Sequence, residues 1–378
     1  MVPARSVRWT EASERCTLME QLAPLAVPHG QKIRLLQITD LHHLGLEEGH
    51  TQFTGPRVTV PIGDYKVGDE LTEEVTPGNY SVGRGIALIG RLLDQVAPDL
   101  VVFTGDIIDG RMCSDHCRAM AEVVRPCQER LVPWTFTPGN HDDDPPSKWS
   151  RADLLDILRL PGCVASAATS FNHTFKLGEQ VRLFFFDSHG NPHKTTTDGV
   201  REEAIQGYEE LSTSPTLIAE RRDGVVGLAF FHIPLPEYAD DSSTILTGRI
   251  DDLTPMRPAD FTGRMVGSPR KNTGLYDAMK RQGNVRSIFV GHDHYHDAVM
   301  KRPDTGPYLC YGRVTAFSPP ADFEGAGGAL PFQRGGRVVE IAPKAAGQNA
   351  VSTWVETVSG EEPSSRIELV PQSLECKL

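Results

Sequence analysis

Short apolar runs recur along the chain, and each ends in a cluster of glycine, aspartate, asparagine or histidine. There are six: IRLLQITDLHH (33–43), DLVVFTGDIID (99–109), PWTFTPGNHDD (133–143), VRLFFFDSHG (181–190), VVGLAFFHIP (225–234) and VRSIFVGHDH (285–294). Runs of this length that are rich in β-branched and aromatic residues predict buried strands. Each predicted strand therefore presents polar side chains at its carboxyl end.

Between these strands the apolar residues recur at helical spacing, which predicts helices over 83–98, 114–127, 147–160 and 273–283. Alternation of strand and helix is typical of an α/β fold, in which ligands bind beyond the carboxyl ends of the strands. Residues 307–358 show strand patterns without a helical one. Two segments poor in apolar periodicity, 44–82 and 235–272, predict long loops of the kind that are usually functional or disordered.

The composition is that of an ordinary globular protein, with 39% hydrophobic and 23% charged residues among 378. A formal net charge of −12, without a run of lysine or arginine, disfavours a nucleic-acid partner. No stretch of about eighteen apolar residues predicts a membrane span. Most of the seven scattered cysteines are expected to be reduced and buried. The expected location is cytoplasmic, or secreted or organellar if a targeting segment was removed.

The polar clusters at five strand ends contain the donor types that hold Mn, Fe and Zn ions. In chain order they are Asp40-x-His42, Gly105-Asp106-x-x-Asp109, Gly139-Asn140-His141-Asp142, a lone His232 and Gly291-His292-x-His294. A single aspartate or histidine after a strand is more often a cap or turn residue than a ligand. Five such clusters in one chain favour a metal site with enough donors for two ions.

This ordered set of motifs resembles the calcineurin-like metallophosphoesterases. Within that superfamily, VPWTFTPGNHD (132–142), FFHIPLPEY (230–238) and GHDHYHD (291–297) are most similar to plant and fungal purple-acid-phosphatase-like proteins, some of them named inactive. The resemblance covers roughly residues 31–340. It implies a four-layer αββα sandwich of two mixed β-sheets flanked by helices, with a two-metal site at the carboxyl ends of the strands.

Carried over to this chain, the resemblance implies a ligand set for each ion. One metal is expected to bind Asp40, His42, Asp106 and His294, and Asp106 bridges to a second metal bound by Asn140, His232 and His292. Purple acid phosphatases have a metal-binding tyrosine where this chain has Asp109, so a purple ferric centre is not expected. The expected cofactors are two divalent ions, and the ligands do not distinguish Mn, Fe and Zn.

The resemblance also implies that His141 assists the leaving group while a hydroxide that bridges the metals attacks phosphorus. Asp109 is expected to orient and charge His141, because a carboxylate partner favours imidazolium. Asn140, His141 and Arg111 are the candidates for substrate binding.

Residues that flank the motifs are expected to have no direct role. Asp142 is expected to support the ligands, and Asp143 and Asp144 to form a solvated acidic turn. His296, the third histidine of GHDHYHD, matches no ligand position and is expected to be a loop or packing residue.

The predicted activity is hydrolysis of phosphate monoesters, carried by small molecules or phosphoproteins. A phosphodiesterase on the same core is the alternative, and a non-catalytic metal-binding scaffold is a third hypothesis. The predicted domains are an N-terminal extension (1–30) that packs on the body, a catalytic domain (31–358) with insert loops 44–82 and 235–272, and a C-terminal tail (359–378).

Overall fold

The fold is built from two β-sheets with helices on their outer faces. The computed structural model describes residues 19–27, 30–43, 45, 58–61, 72–75, 82–110, 113–144, 147–189, 199–250, 264–316, 333–343, 349–357 and 365–370. Its strands are β1 (Glu20–Gln21), β2 (Ile33–Ile38), β3 (Val58–Pro61), β4 (Thr72–Val75), β5 (Leu100–Thr104), β6 (Trp134–Thr137), β7 (His173–Leu177), β8 (Val181–Phe185), β9 (Val226–Phe230), β10 (Thr244–Thr247), β11 (Val285–Val290), β12 (Val299–Lys301), β13 (Tyr308–Tyr311), β14 (Gly335–Pro343), β15 (Asn349–Thr357) and β16 (Ile367–Glu368). The helices are α1 (Val82–Val96), α2 (His116–Glu129), α3 (Glu202–Ser212), α4 (Pro215–Arg222) and α5 (Leu275–Gln282), with 3-10 helices over Asp153–Arg159 and Pro236–Ala239.

Both large sheets are mixed. The eight-stranded sheet has the order β1-β7-β8-β9-β11-β13-β12-β10, and the six-stranded sheet has the order β16-β15-β14-β2-β5-β6. In each sheet a parallel centre, β8-β9-β11 or β2-β5-β6, is flanked by antiparallel pairs such as β7 with β8 and β14 with β2. Parallel pairing brings the carboxyl ends of the central strands to a common edge of each sheet.

Because successive side chains of a strand point to opposite faces of the sheet, the apolar side chains form three separate cores. On β2, Ile33 and Leu35 lie in the core between the two sheets, whereas Leu36 and Ile38 pack in a core formed with α1 and α2. On the other sheet, Phe184 packs in a core formed with α3 and α5. The layers are therefore helices, sheet, sheet and helices, which confirms the predicted αββα sandwich.

Helix α1 illustrates how the pattern produces the outer layers. Leu88, Ile89, Leu92, Leu93 and Val96 recur at spacings of three and four residues, and all are buried. Burial of each such side chain stabilises the fold by about 1.5–3 kcal/mol relative to exposure. Amphipathic burial therefore fixes the helix on the sheet.

All six predicted strands are present, and the predicted helices over 83–98, 114–127 and 273–283 correspond to α1, α2 and α5. The predicted helix over 147–160 was wrong in type, since the structure forms a 3-10 helix at Asp153–Arg159. Helices α3 and α4 were missed. In α4 only Leu217 is buried, so the sequence carries no amphipathic pattern there.

The described parts of the predicted extension and loops pair with the body or with each other. Strand β1 runs parallel to β7, and Leu25 bridges Leu177. In the segment 44–82, β3 and β4 form a hairpin. The predicted division into extension, catalytic domain and tail stays a prediction.

Among the described residues, the cysteines at positions 113, 117, 127, 163 and 310 are free thiols. Within the described ranges, no helix has both the length and the apolar character needed to cross a bilayer.

Candidate metal centre

Loops that follow four central strands meet where the two sheets present their carboxyl ends. Asp40 lies after β2, Asp106 after β5, His232 after β9 and His292 after β11. Asp40 and Asp106 are each 1% exposed. Two carboxylates buried in this way require compensating positive charge.

The first donor group contains Asp40, His42, Asp106 and His294, whose candidate ligand atoms all lie within 4.8 Å of one another. The Nε2 atoms of His42 and His294 are 3.2 Å apart, and His294 Nε2 is 3.3 Å from Asp40 Oδ1. Two ligands bound to one ion at about 2.1 Å are about 3.0–3.4 Å apart. The spacing of these atoms therefore suits a single ion.

The second donor group contains Asp106, His232 and His292. His232 Nε2 lies 3.0 Å from Asp106 Oδ2, and the centroids of the two imidazole rings are 5.2 Å apart. Asp106 belongs to both groups. The structure thus brings six of the seven predicted ligands together in two groups joined by one carboxylate.

The seventh predicted ligand, Asn140, has a buried side-chain oxygen without a hydrogen-bond partner among the described residues. A buried amide oxygen left without a partner is costly, and a cation is one way to satisfy it. The loop of Asn140 closes on the donor groups, since the backbone N–H of His141 donates to Asp106 Oδ1 at 2.7 Å. A Cβ atom at Gly139 would lie 2.2 Å from that same oxygen. Glycine is therefore required for this approach.

The protonation of His232 is set by its surroundings. Its Nδ1 lies 2.8 Å from the carbonyl oxygen of Thr104; a carbonyl can only accept, so Nδ1 carries a proton and Nε2 faces Asp106. Burial disfavours the charged ring, but Asp106 and Asp40 outweigh burial and raise the pKa of His232 to about 9. A cation that binds here must therefore displace a proton from Nε2.

Two other predicted ligands are held in the neutral form that binds metals. Burial lowers the pKa of His292 to about 4. Burial also lowers the pKa of His42, although Asp109 and Asp106 oppose that shift. Neutral imidazole offers a lone pair to a metal without first losing a proton.

The backbone is strained at this site. Asp40 (φ 54°), His42 (φ 50°), Asp106 (φ 50°) and His292 (φ 75°) adopt the left-handed conformation. They are four of the seven non-glycine residues with positive φ in the described part of the chain. Such conformations persist where the surroundings impose them, and they cluster at functional sites.

His141 lies beside the first donor group, with its ring centroid 5.4 Å from that of His42. Its Nδ1 is 3.0 Å from Asp144 Oδ2, whereas Asp109 Oδ2 lies 3.7 Å from His42 Nδ1. The predicted role of Asp109 toward His141 stays a prediction.

The expectation that Asp143 and Asp144 form a solvated turn was wrong. Their side chains are only 19% and 11% exposed; Asp143 is ion-paired with Arg151, and Asp144 Oδ2 lies 3.0 Å from His141 Nδ1. Local sequence could not show this, because Arg151 reaches the turn through a fold-specific contact.

Asp142 supports the loops, as expected. Its carboxylate accepts hydrogen bonds from the backbone N–H groups of Gly139 at 2.6 Å, Asp106 at 2.8 Å and Ile108 at 2.8 Å. Asp142 thus joins the loop after β6 to the loop after β5.

His296 is a packing residue, as expected. It is 3% exposed, its ring lies edge-on to Tyr311 with centroids 5.0 Å apart, and its Nδ1 is 3.5 Å from Asp293 Oδ2. Asp293 also accepts a hydrogen bond from the Tyr311 hydroxyl at 2.7 Å. His296 and Tyr311 therefore hold the residue between His292 and His294.

Arg111 lies outside the described residues, so its predicted role in substrate binding stays a prediction. Arg151 was missed from the sequence, where it lies only within the helical pattern over 147–160. Arg151 donates to the carbonyl oxygen of Gly139, directly before Asn140. A lone arginine in a helical pattern gives no signal of such a contact.

One family model and several known proteins are similar in sequence to this chain. Residues 33–296 match the family model described as calcineurin-like phosphoesterase. Phosphatase DCR2 of Saccharomyces cerevisiae is 28% identical over 307 residues, which cover 74% of this chain and 47% of that protein. Probable inactive purple acid phosphatase 29 of Arabidopsis thaliana is 27% identical over 261 residues, which cover 59% of this chain and 61% of that protein.

The chain spans about half to three-fifths of the length of these two relatives. A purple acid phosphatase from yellow lupin (Lupinus luteus) seeds superposes with a TM-score of 0.45 at 12% sequence identity, covering 90% of this chain and 54% of that chain.

Proposed function

The chain belongs to the calcineurin-like phosphoesterase family, and from that premise we propose that it hydrolyses phosphate monoesters with two divalent metal ions. The observation that carries the proposal is the pair of donor groups that share Asp106. The Nδ1-bonded His232 and the buried oxygen of Asn140 fit such ions. Mn, Fe and Zn all suit these carboxylate, imidazole and amide donors.

Each ion has its own set of residues in this proposal. One is held by Asp40, His42, Asp106 and His294, and the other by Asp106, Asn140, His232 and His292. When bound, the ions supply an acidified water as nucleophile and positive charge for the phosphoryl oxygens. About four positive charges against two carboxylates make the site attractive to a phosphate, although the chain has a net charge of −12.

His141 is the residue proposed to protonate the departing alkoxide. Its Nδ1 lies 3.0 Å from Asp144 Oδ2, and Nε2 is the atom proposed to donate the proton. The Asp144 carboxylate stabilises the imidazolium form that a general acid needs. Asn140 can bind an ion through its oxygen and a phosphate oxygen through its NH₂ group.

The proposal is tested on the full chain loaded with Mn, Fe or Zn. Elemental analysis is expected to find about two ions per chain. The protein is expected to hydrolyse p-nitrophenyl phosphate faster than bis(p-nitrophenyl) phosphate. Preference for the diester would instead identify a phosphodiesterase. Two bound ions without hydrolysis of either ester would support a non-catalytic scaffold, as the names of some relatives suggest.

Variants assign the roles. His141→Ala is expected to keep both ions and to lose about 10²–10⁴-fold in kcat, whereas Asp106→Asn is expected to lose bound metal. His116→Gln is the matched control for the loss of a histidine, because His116 belongs to neither donor group and stacks on Trp149 at the beginning of α2. Turnover that survives both His141→Ala and Asp106→Asn would contradict the proposed mechanism.

A further inference from the structure

The guanidinium of Arg151 joins the loop after β6 to the loop after β8. Toward the first loop, it donates to the carbonyl oxygen of Gly139, to Asp143 Oδ1 at 2.9 Å and to the carbonyl oxygen of Pro138 at 3.3 Å. Toward the second, Nη2 and Nε donate to Asp187 Oδ1 at 2.8 and 3.1 Å. All three guanidinium nitrogens are therefore used, in the planar fork that arginine alone provides.

The Asp187 carboxylate is a fixed anchor for this fork. It accepts a hydrogen bond from the backbone N–H of His189 at 2.8 Å, and the backbone N–H of Asp187 donates to Asn172 Oδ1 at 3.0 Å. The side chains of Arg151 and Asp187 are 17% and 7% exposed. A charge-assisted pair with so little solvent access is geometrically defined and stronger than a surface ion pair.

The Gly139 carbonyl belongs to the peptide unit that leads into Asn140. On its other side, the Gly139 N–H is held by Asp142 at 2.6 Å, and the His141 N–H is held by Asp106 at 2.7 Å. Arg151 fixes the peptide between these two contacts. Rotation of that peptide would turn the side chain of Asn140 away from its present position.

The donors of the second metal site come from both sheets. Asp106 and Asn140 follow strands of the six-stranded sheet, whereas His232 and His292 follow strands of the eight-stranded sheet. Arg151 connects the same two sheets, because Asp187 lies just beyond β8 of the eight-stranded sheet. Its contacts therefore set the position of Asn140 relative to ligands on the opposite sheet.

We propose that Arg151 is a positioning residue that fixes Asn140 for the second metal ion and His141 for the leaving group. The proposal rests on the metal site of the proposed function. Arg151 acts through the loop 138–143, to which its hydrogen bonds are made.

Arg182 provides a matched control. It lies on β8 and is 5% exposed, and its guanidinium binds Glu220 through Nη2 and through Nε, the latter at 2.9 Å. Arg182 thus has a buried bidentate carboxylate partner at the opposite end of β8 from Asp187. Arg151→Ala and Arg182→Ala each remove a largely buried arginine–carboxylate pair, and only Arg151→Ala also removes contacts to the loop of Asn140.

The experiment measures Mn²⁺ binding to the metal-free full chain by calorimetric titration, alongside urea unfolding. Arg151→Ala is expected to bind one Mn²⁺ as the wild type does and the second about 10- to 100-fold more weakly. Arg182→Ala is expected to bind both ions normally at a similar loss of stability. Free guanidinium is expected to restore the weakened site in Arg151→Ala but not in Asn140→Ala.

Arg151→Lys keeps the charge without the fork and replaces the alanine variant if that variant does not fold. The proposal is overturned if Arg151 variants bind both ions with wild-type affinity, or if Arg182→Ala weakens binding equally. Because Mn²⁺ binding needs no substrate, this outcome is independent of whether the chain hydrolyses phosphate esters. If the chain hydrolyses phosphate esters, kcat of Arg151→Lys is expected to fall about 10- to 100-fold.

Discussion

His141 Nδ1 lies 3.0 Å from the Oδ2 atom of Asp144, three residues further along the same loop. The two side chains are 17% and 11% exposed, so the pair is largely shielded from water. Asp109 lies beside a different imidazole, 3.7 Å from Nδ1 of His42. Asp144 therefore contacts the proposed general acid, and Asp109 lies beside a proposed metal ligand.

Because Asp144 lies beside His141 and Asp109 beside His42, we expect different results for Asp144→Asn and Asp109→Asn. Asp144→Asn removes the charge that stabilises imidazolium at His141, so kcat is expected to fall about 10- to 100-fold with both ions retained. Asp109→Asn is expected to weaken metal binding through His42, by about 10-fold or more. Steady-state kinetics and elemental analysis on the same preparations check both. If Asp109→Asn lowered kcat alone and Asp144→Asn had no effect, Asp109 would be the partner of His141.

Asp142→Asn is expected to destabilise the fold. The carboxylate accepts backbone N–H groups on both oxygens, including those of Gly139 and Ile108. In asparagine one oxygen becomes an NH₂ donor that faces these donors, at a cost of about 1–3 kcal/mol. The urea midpoint measures the change. Asp94→Asn, which alters the exposed pair with Arg130, serves as control and is expected to leave the midpoint nearly unchanged.

Gly139→Ala is expected to disrupt the metal site itself. Its Cβ would lie 2.2 Å from Asp106 Oδ1 and 2.4 Å from the Asp106 nitrogen, so the loop must move away from the proposed bridging ligand. We expect loss of at least one bound ion in elemental analysis. Gly90→Ala on α1 is the control, because its nearest neighbour is Arg130 Nη2 at 3.5 Å, an ordinary contact. Metal retention by Gly139→Ala would show that the loop tolerates the shift.

His173 makes stability depend on pH below neutrality. The ring is stacked on Phe185 with centroids 4.8 Å apart, and burial lowers its pKa to about 4. Because the folded pKa lies below the unfolded value of about 6.5, the contribution is complete above pH 6.5 and is lost as the pH falls toward 4. The full loss amounts to about 3 kcal/mol.

His173→Phe is therefore expected to flatten the stability curve between pH 6.5 and 4, measured by urea unfolding in the presence of a chelator. Phe175→Leu disturbs the same stack, in which Phe175 and Phe185 are 5.5 Å apart, but keeps the titrating ring. It should retain the wild-type pH dependence. Equal slopes for wild type and His173→Phe would assign the acid sensitivity to other groups.

The sequence by itself determined the strands and the donors at their ends. Asp40, Asp106 and His232 follow apolar runs directly, and strand burial depends on local alternation that is visible in the chain. Four of the proposed ligands have positive φ, a conformation that local pattern does not reveal. The ligand types followed from the sequence because the chemistry of a donor belongs to the residue itself.

Only the tertiary structure decided which groups become partners. His42 and His294 are separated by 252 positions in the chain, yet their Nε2 atoms lie 3.2 Å apart because the two sheets face each other. Asp144 Oδ2 lies 3.0 Å from His141 Nδ1 because of how one turn closes. Arg151 reaches Gly139 and Asp187 from outside every motif. Such contacts depend on strand order and loop closure, and these are properties of the packed fold rather than of any local stretch of residues.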